Sequence, residues 1–286
     1  MIRLINLVIV IMLLFYPQLH AQTPDSQLNS AFNKGRFEMP GRDELQQVSN
    51  AFRQELSGQS TNHLWRALAI QRIVQDDLLF FQEATNNLSG RGLFAIHKGT
   101  GVNPWLLQAP HAKYDKDTGK IAALIFADGK FKAAMWNSVP RKTRVDNLSS
   151  AITADMAHLK GTYWQALTEV FARYSGTGRI IQLHGFRQSK RKSAAGRDSE
   201  IILSAGHYYP PQWVRETAQC LKKSMPGKIS LYPYDVKELG ATTNVQNHLL
   251  QAIGFKGFLH IEMSRPMRQE LVKSQTLRQL LVSCIQ

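Results

Sequence analysis

The sequence predicts an α/β fold with a mainly parallel or mixed central sheet and flanking helices, preceded by an N-terminal helical segment. From residue 92 onward, short apolar runs of strand length alternate with longer amphipathic runs of helical period. Turn residues such as Gly99, Gly101 and Gly129 separate these runs. With 43% hydrophobic and 20% charged residues, a chain of 286 residues can bury a sizeable core. Strands that alternate with helices indicate a layered α/β domain.

Each element follows from the same periodicities. The expected strands span residues 93–97, 105–109, 132–136, 180–183, 201–204, 229–232 and 257–263. The expected helices span residues 118–127, 149–158, 163–174, 212–223, 245–253 and 269–285. Two earlier helices are expected at residues 43–56 and 62–85, the first from the apolar spacing of Leu45, Val48 and Phe52. In α/β folds of this kind, ligands bind beyond the carboxyl ends of the strands.

The first residues have the pattern of a signal peptide. Arg3 is followed by the uncharged apolar run 4–15, and Leu19-His20-Ala21 precedes Gln22 in the manner of a cleavage site. The apolar run is shorter than the ~20 residues that span a bilayer, which favours cleavage over anchoring. We therefore expect a signal peptide at 1–21, followed by a helical segment at 22–90 and the α/β domain at 91–286. The mature protein should be periplasmic or secreted, with no membrane span.

The chain is strongly basic, with 35 Lys and Arg against 21 Asp and Glu and a net charge of +14. In an exported protein this charge suggests anionic partners such as cell-wall polymers, lipid headgroups or acidic peptides. Nucleic acid is disfavoured, because the basic residues are spread along the chain and no nucleic-acid motif accompanies them.

The only cysteines, Cys220 and Cys284, could form one disulfide in an oxidising compartment. Neither has a CxxC neighbour, which makes a thiolate metal site improbable.

Polar residues of metal-binding type follow the expected strands. The strand 105–109 ends at Pro110 and is followed by His111, with Asp115 or Asp117 within reach in the same loop. The strand 180–183 ends at His184, and Gly185 would allow a sharp turn there. A catalytic zinc typically has three imidazole or carboxylate ligands and one open position. The pattern predicts a zinc site of His111, Asp115 and His184, with Asp117 as an alternative to Asp115.

A base and several substrate contacts complete this hypothesis. Glu262 lies within the apolar strand 257–263, where an unpaired carboxylate is costly unless it has a partner or a task. We expect it to take a proton from water, with an ion pair to Arg265 or Arg268 as the structural alternative. The substrate-binding candidates are Arg187, Arg268, Asn244 and His158. Asp155 and His158 form an i, i+3 pair on the expected helix, suited to supporting the site or simply solvated.

The order of these motifs resembles zinc carboxypeptidase-like hydrolases over roughly residues 92–270. Pro110-His111, Asp115 and Thr118-Gly119 look like the metal loop of the poly-γ-glutamate hydrolase branch, and Leu183-His184-Gly185 looks like its later strand end. Asn244 to Asn247, then His260 to Arg268, resemble its Asn-containing segment and closing strand. N-formylglutamate amidohydrolases are similar in outline. The chain departs from that pattern in having Ala-Lys-Tyr where glycine is usual and an aspartate at i+4.

The resemblance implies a zinc-dependent amidase or carboxypeptidase. His111, Asp115 and His184 would bind zinc, Glu262 would activate water, and Arg268 would match the closing arginine. The substrate would be an acidic or cell-wall-derived peptide. The altered metal loop leaves a second possibility, a catalytically silent basic envelope protein that binds an anionic polymer. A serine hydrolase is disfavoured, because the sequence has no Gly-x-Ser-x-Gly elbow.

Overall fold

The protein has a mixed α/β fold, as the sequence predicts. The computed structural model describes residues 24–32, 35–84, 88–146, 148 and 151–285. Within these ranges a nine-stranded sheet is covered by helices on both faces. The signal peptide expected at 1–21 lies outside the described residues. No helix in the described ranges is long and apolar enough to cross a membrane.

Ten α-helices and nine strands follow one another in the described residues. The helices are α1 (Pro24–Ala31), α2 (Arg42–Leu56), α3 (Asn62–Ala67), α4 (Thr118–Ala127), α5 (Tyr163–Ser175), α6 (Ala194–Asp198), α7 (Gln212–Ser224), α8 (Val245–Ala252), α9 (Arg265–Lys273) and α10 (Gln275–Ser283). The strands are β1 (Ile70–Gln75), β2 (Leu78–Glu83), β3 (Leu93–His97), β4 (Asn103–Ala109), β5 (Phe131–Trp136), β6 (Arg179–Gly185), β7 (Ile201–Ser204), β8 (Ile229–Leu231) and β9 (Phe258–Met263).

The sheet order places three strand ends side by side. The order is β1-β2-β3-β5-β4-β6-β9-β7-β8, and β5, β4, β6 and β9 are parallel neighbours. The outer pairs β1–β2, β2–β3, β3–β5 and β9–β7 are antiparallel. Because β4, β6 and β9 run in one direction, their carboxyl ends meet at one edge of the sheet. The loops after β4 and β6 and the helix after β9 therefore begin at the same place.

One face of the central strands carries apolar side chains near the start of the strands and polar side chains towards their carboxyl ends. Leu106, Ile180 and Phe258 lie early in β4, β6 and β9 and pack in the apolar core beneath α2, α5 and α8. Two residues further on, the same face carries Gln108, Gln182 and His260, since side chains two apart share a face. His184 and Glu262 follow and are register partners across β6 and β9. The opposite face stays apolar throughout.

The N-terminal helical segment differs from its prediction. Helix α2 is present, with Val48, Ala51 and Phe52 buried on one side. The helix predicted at 62–85 is wrong: α3 ends at Ala67, and β1 and β2 form an antiparallel hairpin beside β3. The apolar run looked helical because β2 is buried on both faces, which removes the alternation expected of a strand.

Two further helix predictions need correction. Residues 151–160 form turns and extended chain, so the helix predicted at 149–158 is absent from the part described. The terminal helix predicted at 269–285 is two helices, because Ser274 ends α9 and caps α10 by accepting the Leu277 N–H. The basic tract 187–198 contains a short 3₁₀ turn and α6. The disulfide Cys220–Cys284 is formed and joins α7 to the residue that ends α10.

Candidate metal centre

The turn after β4 brings His111 and Asp115 together. The backbone N–H groups of Tyr114 and Asp115 both donate to the His111 carbonyl, so the chain makes one helix-like turn. That turn places residues i and i+4 on one side, and Asp115 Oδ2 lies 3.1 Å from His111 Nδ1. Asp117 has a left-handed backbone and lies at the N-cap position of α4, where its side chain makes no capping hydrogen bond. Of the two alternatives, Asp115 is therefore the carboxylate that faces His111.

His184 approaches the same carboxylate from the end of β6. Its Nδ1 lies 3.8 Å from Asp115 Oδ2, and the neighbouring Gly185 N–H donates to that oxygen at 3.1 Å. The rings of His111 and His184 meet edge to face, with centroids 4.7 Å apart. One ligand-type atom from each of His111, Asp115 and His184 lies within 4.8 Å of the other two. The three residues predicted as metal ligands thus converge.

A second polar group holds the far nitrogen of each imidazole. His111 Nε2 lies 2.8 Å from Asp155 Oδ1, and His184 Nε2 lies 2.8 Å from Gln182 Oε1. Both oxygens accept hydrogen bonds, so each Nε2 donates, and the Nδ1 of neutral His184 has its lone pair on the side of Asp115. His111 Nδ1 shares a proton with Asp115, and a metal bound there would replace that proton. Metal-binding histidines usually have this arrangement, with one nitrogen on the metal and the other donating to an oxygen.

The same contacts, together with burial, shift the pKa values of the titratable groups in the site. Burial lowers the pKa of His111, but hydrogen bonds to Asp115 and Asp155 outweigh it, and the pKa lies above its ordinary value. Although burial disfavours its charge, Asp155 has a lowered pKa because His111 and Arg141 stabilise the carboxylate. His184 lacks such a partner, and burial, followed by repulsion from His260 and His111, holds its pKa well below 6.5. His184 is therefore neutral, the form that binds a metal.

Glu262 and His260 lie beside His184 on β9. Burial, together with the charge of Asp115, raises the pKa of Glu262 to about 8, and burial lowers the pKa of His260 to about 3. Among the described residues, neither Glu262 Oε2 nor His260 Nδ1 has a hydrogen-bond partner. Buried polar atoms are rarely left unpaired in folded proteins. These two atoms are consistent with a site that receives a ligand.

The site opens into a strongly basic cleft of ≈ 760 Å³. Its acidic lining residues are Asp115 and Glu262, and its basic ones are Lys116, Arg141, Arg187, Lys190, Arg191, Arg265 and Arg268. Arg191 pairs with Glu238, and Arg141 pairs with Asp155, so part of this charge is compensated. Arg187, Lys190 and Arg265 are exposed at the rim. A smaller cavity of ≈ 190 Å³ adjoins the cleft at Arg141, His184, Leu239 and Glu262.

Two of the predicted substrate contacts have exposed side chains at these cavities. Arg187 is exposed in the cleft, and His158 is exposed at the smaller cavity. Both positions are open to a bound molecule. Asp155, three residues before His158, does not share a helix face with it; the turn buries Asp155 against His111. Asp155 therefore supports His111, whereas His158 lies at the wall of the smaller cavity.

Arg268 is buried beside the cleft. It is 4% exposed, its Nε donates to the Lys116 carbonyl at 2.7 Å, and its Nη1 donates to the carbonyls of Phe186 and Met263. Its guanidinium thus holds main chain together at the wall of the cleft, and its role as a substrate contact stays a prediction. Gly185 leaves room for it, because a Cβ there would lie 2.3 Å from Nη1. Gly185 is thus required by close approach and not by the expected sharp turn.

Asn244 is buried at the smaller cavity. It is 3% exposed, and its Oδ1 accepts the N–H groups of Gln246 and Asn247 as the cap of α8. Its Nδ2 donates to Gln182 Oε1 at 2.6 Å. Both ends of the amide thus have partners in the fold, and Asn244 supports the neighbourhood of His184. Its role as a substrate contact stays a prediction.

Sequence reasoning missed Arg141, Gln182 and the position of His260. Arg141 Nη1 lies 3.3 Å from His111 Nδ1, and its Nη2 contacts Asp155 Oδ2. No local sequence pattern indicates Arg141, because its contacts join loops of irregular structure. The strands did carry a signal: Gln182 with His184, and His260 with Glu262, are polar pairs two apart in otherwise apolar strands. Such pairs lie on one face of a sheet.

Comparisons with known proteins give structural similarity only. No protein-family model and no curated protein matches the sequence. The fold is similar to N-formylglutamate amidohydrolase from Ralstonia eutropha, with a TM-score of 0.44 and 12% identity over 68% of this chain and 96% of that one. It is similar to succinylglutamate desuccinylase from Chromobacterium violaceum, with a TM-score of 0.40 and 13% identity over 82% and 72%. LapA aminopeptidase of Legionella pneumophila has a TM-score of 0.47 and 9% identity over 93% and 71%.

Proposed function

We propose that this protein is a zinc-dependent hydrolase that cleaves an amide bond in an acidic or cell-wall-derived peptide. The observation that supports this most is the convergence of His111 Nδ1, His184 Nδ1 and Asp115 Oδ2, with both Nε2 atoms held by acceptors. Two imidazoles and one carboxylate are a typical ligand set of catalytic zinc. His111, Asp115 and His184 would hold the metal.

Zinc bound there would lower the pKa of a water molecule towards ~7 and polarise the substrate carbonyl. Glu262, beside His184 on the neighbouring strand, would take the proton from that water and pass it to the leaving nitrogen. Its raised pKa, about 8, means that it is largely protonated at neutral pH when no cation is near. A divalent cation beside it would favour the carboxylate, because an opposite charge stabilises the ionised form. Metal binding would thereby prepare the base.

The cleft supports an acidic substrate. Arg187, Lys190 and Arg265 are exposed around an opening whose acidic residues belong to the proposed reaction centre. An arginine can hold a carboxylate with two parallel hydrogen bonds, which suits Arg187. Glutamate-rich peptides and peptides of the cell wall carry such groups. The location is inferred from the signal-peptide pattern at 1–21, so the substrate would be met in the periplasm or outside the cell.

Metal analysis tests the proposal directly. We expect the purified protein to hold about one zinc per chain, as a single three-ligand site requires. His111→Ala and His184→Ala should lose the metal, whereas Glu262→Gln should keep it and lose turnover. His63→Ala changes an exposed histidine on α3 and serves as the control. Zinc-free wild-type protein, or full zinc retention in both ligand variants, would refute the proposal.

The basic rim also favours a second candidate, a non-enzymatic protein that binds an anionic polymer. Exposed cations attract polymers through screened charge, so affinity for polyglutamate should fall steeply between low and physiological ionic strength. The two candidates differ in turnover. Hydrolysis of a γ-glutamyl or cell-wall peptide that disappears in Glu262→Gln supports the enzyme. Tight, salt-sensitive binding that is unchanged in Glu262→Gln, without any hydrolysis, supports the binding protein.

A further inference from the structure

A chain of buried hydrogen bonds leads from helix α8 to His184. It passes through Asn244 and Gln182, and a branch from Gln182 continues through Gln108 to Thr168 on α5. The amides of Asn244, Gln182 and Gln108 are 3%, 0% and 0% exposed, and the two glutamines lie on a face of β4 and β6 that is apolar further back. Burying amides in a sheet core costs free energy unless each is hydrogen-bonded. Their arrangement therefore calls for an explanation.

The direction of every bond in this chain can be deduced from the backbone. Backbone N–H groups only donate, so the atom of Asn244 that lies 3.0 Å from the Gln246 nitrogen must be Oδ1. The other end of that amide, Nδ2, then faces Gln182 at 2.6 Å and must donate. Gln182 consequently presents Oε1 to Asn244. The same oxygen lies 2.8 Å from His184 Nε2, which must therefore carry a proton.

The remainder of the chain agrees with this direction. With Oε1 turned to Asn244 and His184, Gln182 directs Nε2 to Gln108 Oε1 at 2.7 Å. Gln108 in turn donates from Nε2 to the Thr168 hydroxyl at 3.0 Å, and that hydroxyl donates to the Trp164 carbonyl at 2.9 Å. With the bonds in this direction, each donor along the hydrogen-bond chain faces an acceptor. Reversing one amide would oppose donor to donor or acceptor to acceptor.

We propose that Gln182, oriented by Asn244, is a positioning residue that keeps His184 in the tautomer with its lone pair on Nδ1. That atom points to Asp115, where the metal is proposed to bind, so the inference rests on the proposed function. Gln182 does for His184 what Asp155 does for His111, but with a neutral acceptor. Oxygen acceptors behind metal-binding histidines typically change affinity by ~10–100-fold when removed. The hydrogen-bond chain thus couples Asn244, the cap of α8, to the metal affinity of the site.

The first test measures zinc affinity by chelator competition on the full chain. Gln182→Leu keeps the size of the side chain but removes the acceptor, and we expect its affinity to fall ~10–100-fold. Gln82→Leu is the matched control, since Gln82 is a buried glutamine of β2, four strands away from β6 in the sheet. Its affinity should equal that of the wild type. Wild-type affinity in Gln182→Leu would overturn the inference.

The second test changes the direction of the hydrogen bonds along this chain and keeps the cap of α8. Ser and Asp both cap helices well. Asn244→Ser removes the donor to Gln182, whereas Asn244→Asp places a carboxylate against Gln182 Oε1 and should turn its amide around. We expect zinc affinity to fall in the order wild type, Asn244→Ser, Asn244→Asp, although the added negative charge alone would strengthen cation binding. A merely structural role predicts that Asn244→Asp binds zinc at least as tightly as Asn244→Ser.

Nitrogen NMR of metal-free, ¹⁵N-histidine-labelled protein reads the tautomer itself. The wild type should show His184 protonated on Nε2, with the signal assigned by its loss in His184→Ala, and Asn244→Asp should move the proton to Nδ1. An Nδ1-protonated wild type would overturn the inference even if zinc binds. If the wild type holds no zinc, the proposed function fails while the tautomer result still decides the hydrogen-bond chain. The two failures are therefore distinguishable.

Discussion

Replacing Glu262 by glutamine should make the metal-free protein more stable above neutral pH. Burial, and then the nearby charge of Asp115, raises the pKa of Glu262 from 4.5 to about 8. The folded state therefore binds a proton more tightly than the unfolded state. The contribution of the Glu262 proton to stability is full below pH 4.5 and is lost as pH rises to about 8. Glutamine keeps the shape but cannot ionise, so the variant should not show this loss.

The magnitude follows from the shift. A difference of 8 − 4.5 = 3.5 units corresponds to ~5 kcal/mol, at ~1.4 kcal/mol per unit. The stability advantage of Glu262→Gln should thus grow by that order between pH 4.5 and pH 8 and then level off. His260 also has a shifted pKa, but it is present in both proteins, and its contribution largely cancels in the difference.

Urea unfolding at a series of pH values, with chelator present, measures this difference. Glu270→Gln is the control, because Glu270 is exposed on α9 and makes a surface ion pair with Lys273. It should change stability little, and equally at all pH values. Parallel stability curves for wild type and Glu262→Gln would refute the reasoning. Added zinc should reduce the difference, because a cation near Glu262 favours its ionised form.

Three other substitutions have defined outcomes. Cys284→Ser opens a disulfide between residues 64 apart in sequence, and urea unfolding should show a loss of ~4 kcal/mol that reducing agent reproduces in the wild type. Arg72→Met leaves the buried Glu55 carboxylate without its ion-pair partner and should cost ~3–5 kcal/mol in the same assay, an equal stability being the contrary result. Arg187→Glu should raise KM for an acidic peptide more than it changes kcat, and unchanged kinetics would exclude Arg187 from the substrate site.

The central fold was predictable because its patterns are local. Strands such as β3, β4 and β7 are short apolar runs bounded by turn residues, and α4 was predicted with its observed ends. The β1–β2 hairpin was not predictable in the same way. Its type depends on pairing with β3, a partner that no feature of residues 70–83 reveals. Tertiary pairing there overrode a run of apolar residues with helical spacing.

The site was predictable to the extent that strand ends determine it. His111, Asp115 and His184 converge because β4 and β6 are parallel neighbours, a relation that follows from the α/β pattern. The contacts of Asp155, Arg141 and Gln182 were not predictable, since they depend on loop paths and on side-chain choices across strands. The same limit applies to Arg268 and Asn244, whose burial and contacts within the fold no local pattern indicates.

The buried position of Arg268 has a consequence for how the site could change. Its guanidinium bonds carbonyls of Lys116, Phe186 and Met263, each within two residues of Asp115, His184 or Glu262. One side chain therefore sets the mutual spacing of three segments that are far apart in the sequence. The rim residues take no part in these bonds. Substrate preference could thus be altered at the rim by substitution while the spacing of the reactive groups stays the same, which separates specificity from chemistry within one small region.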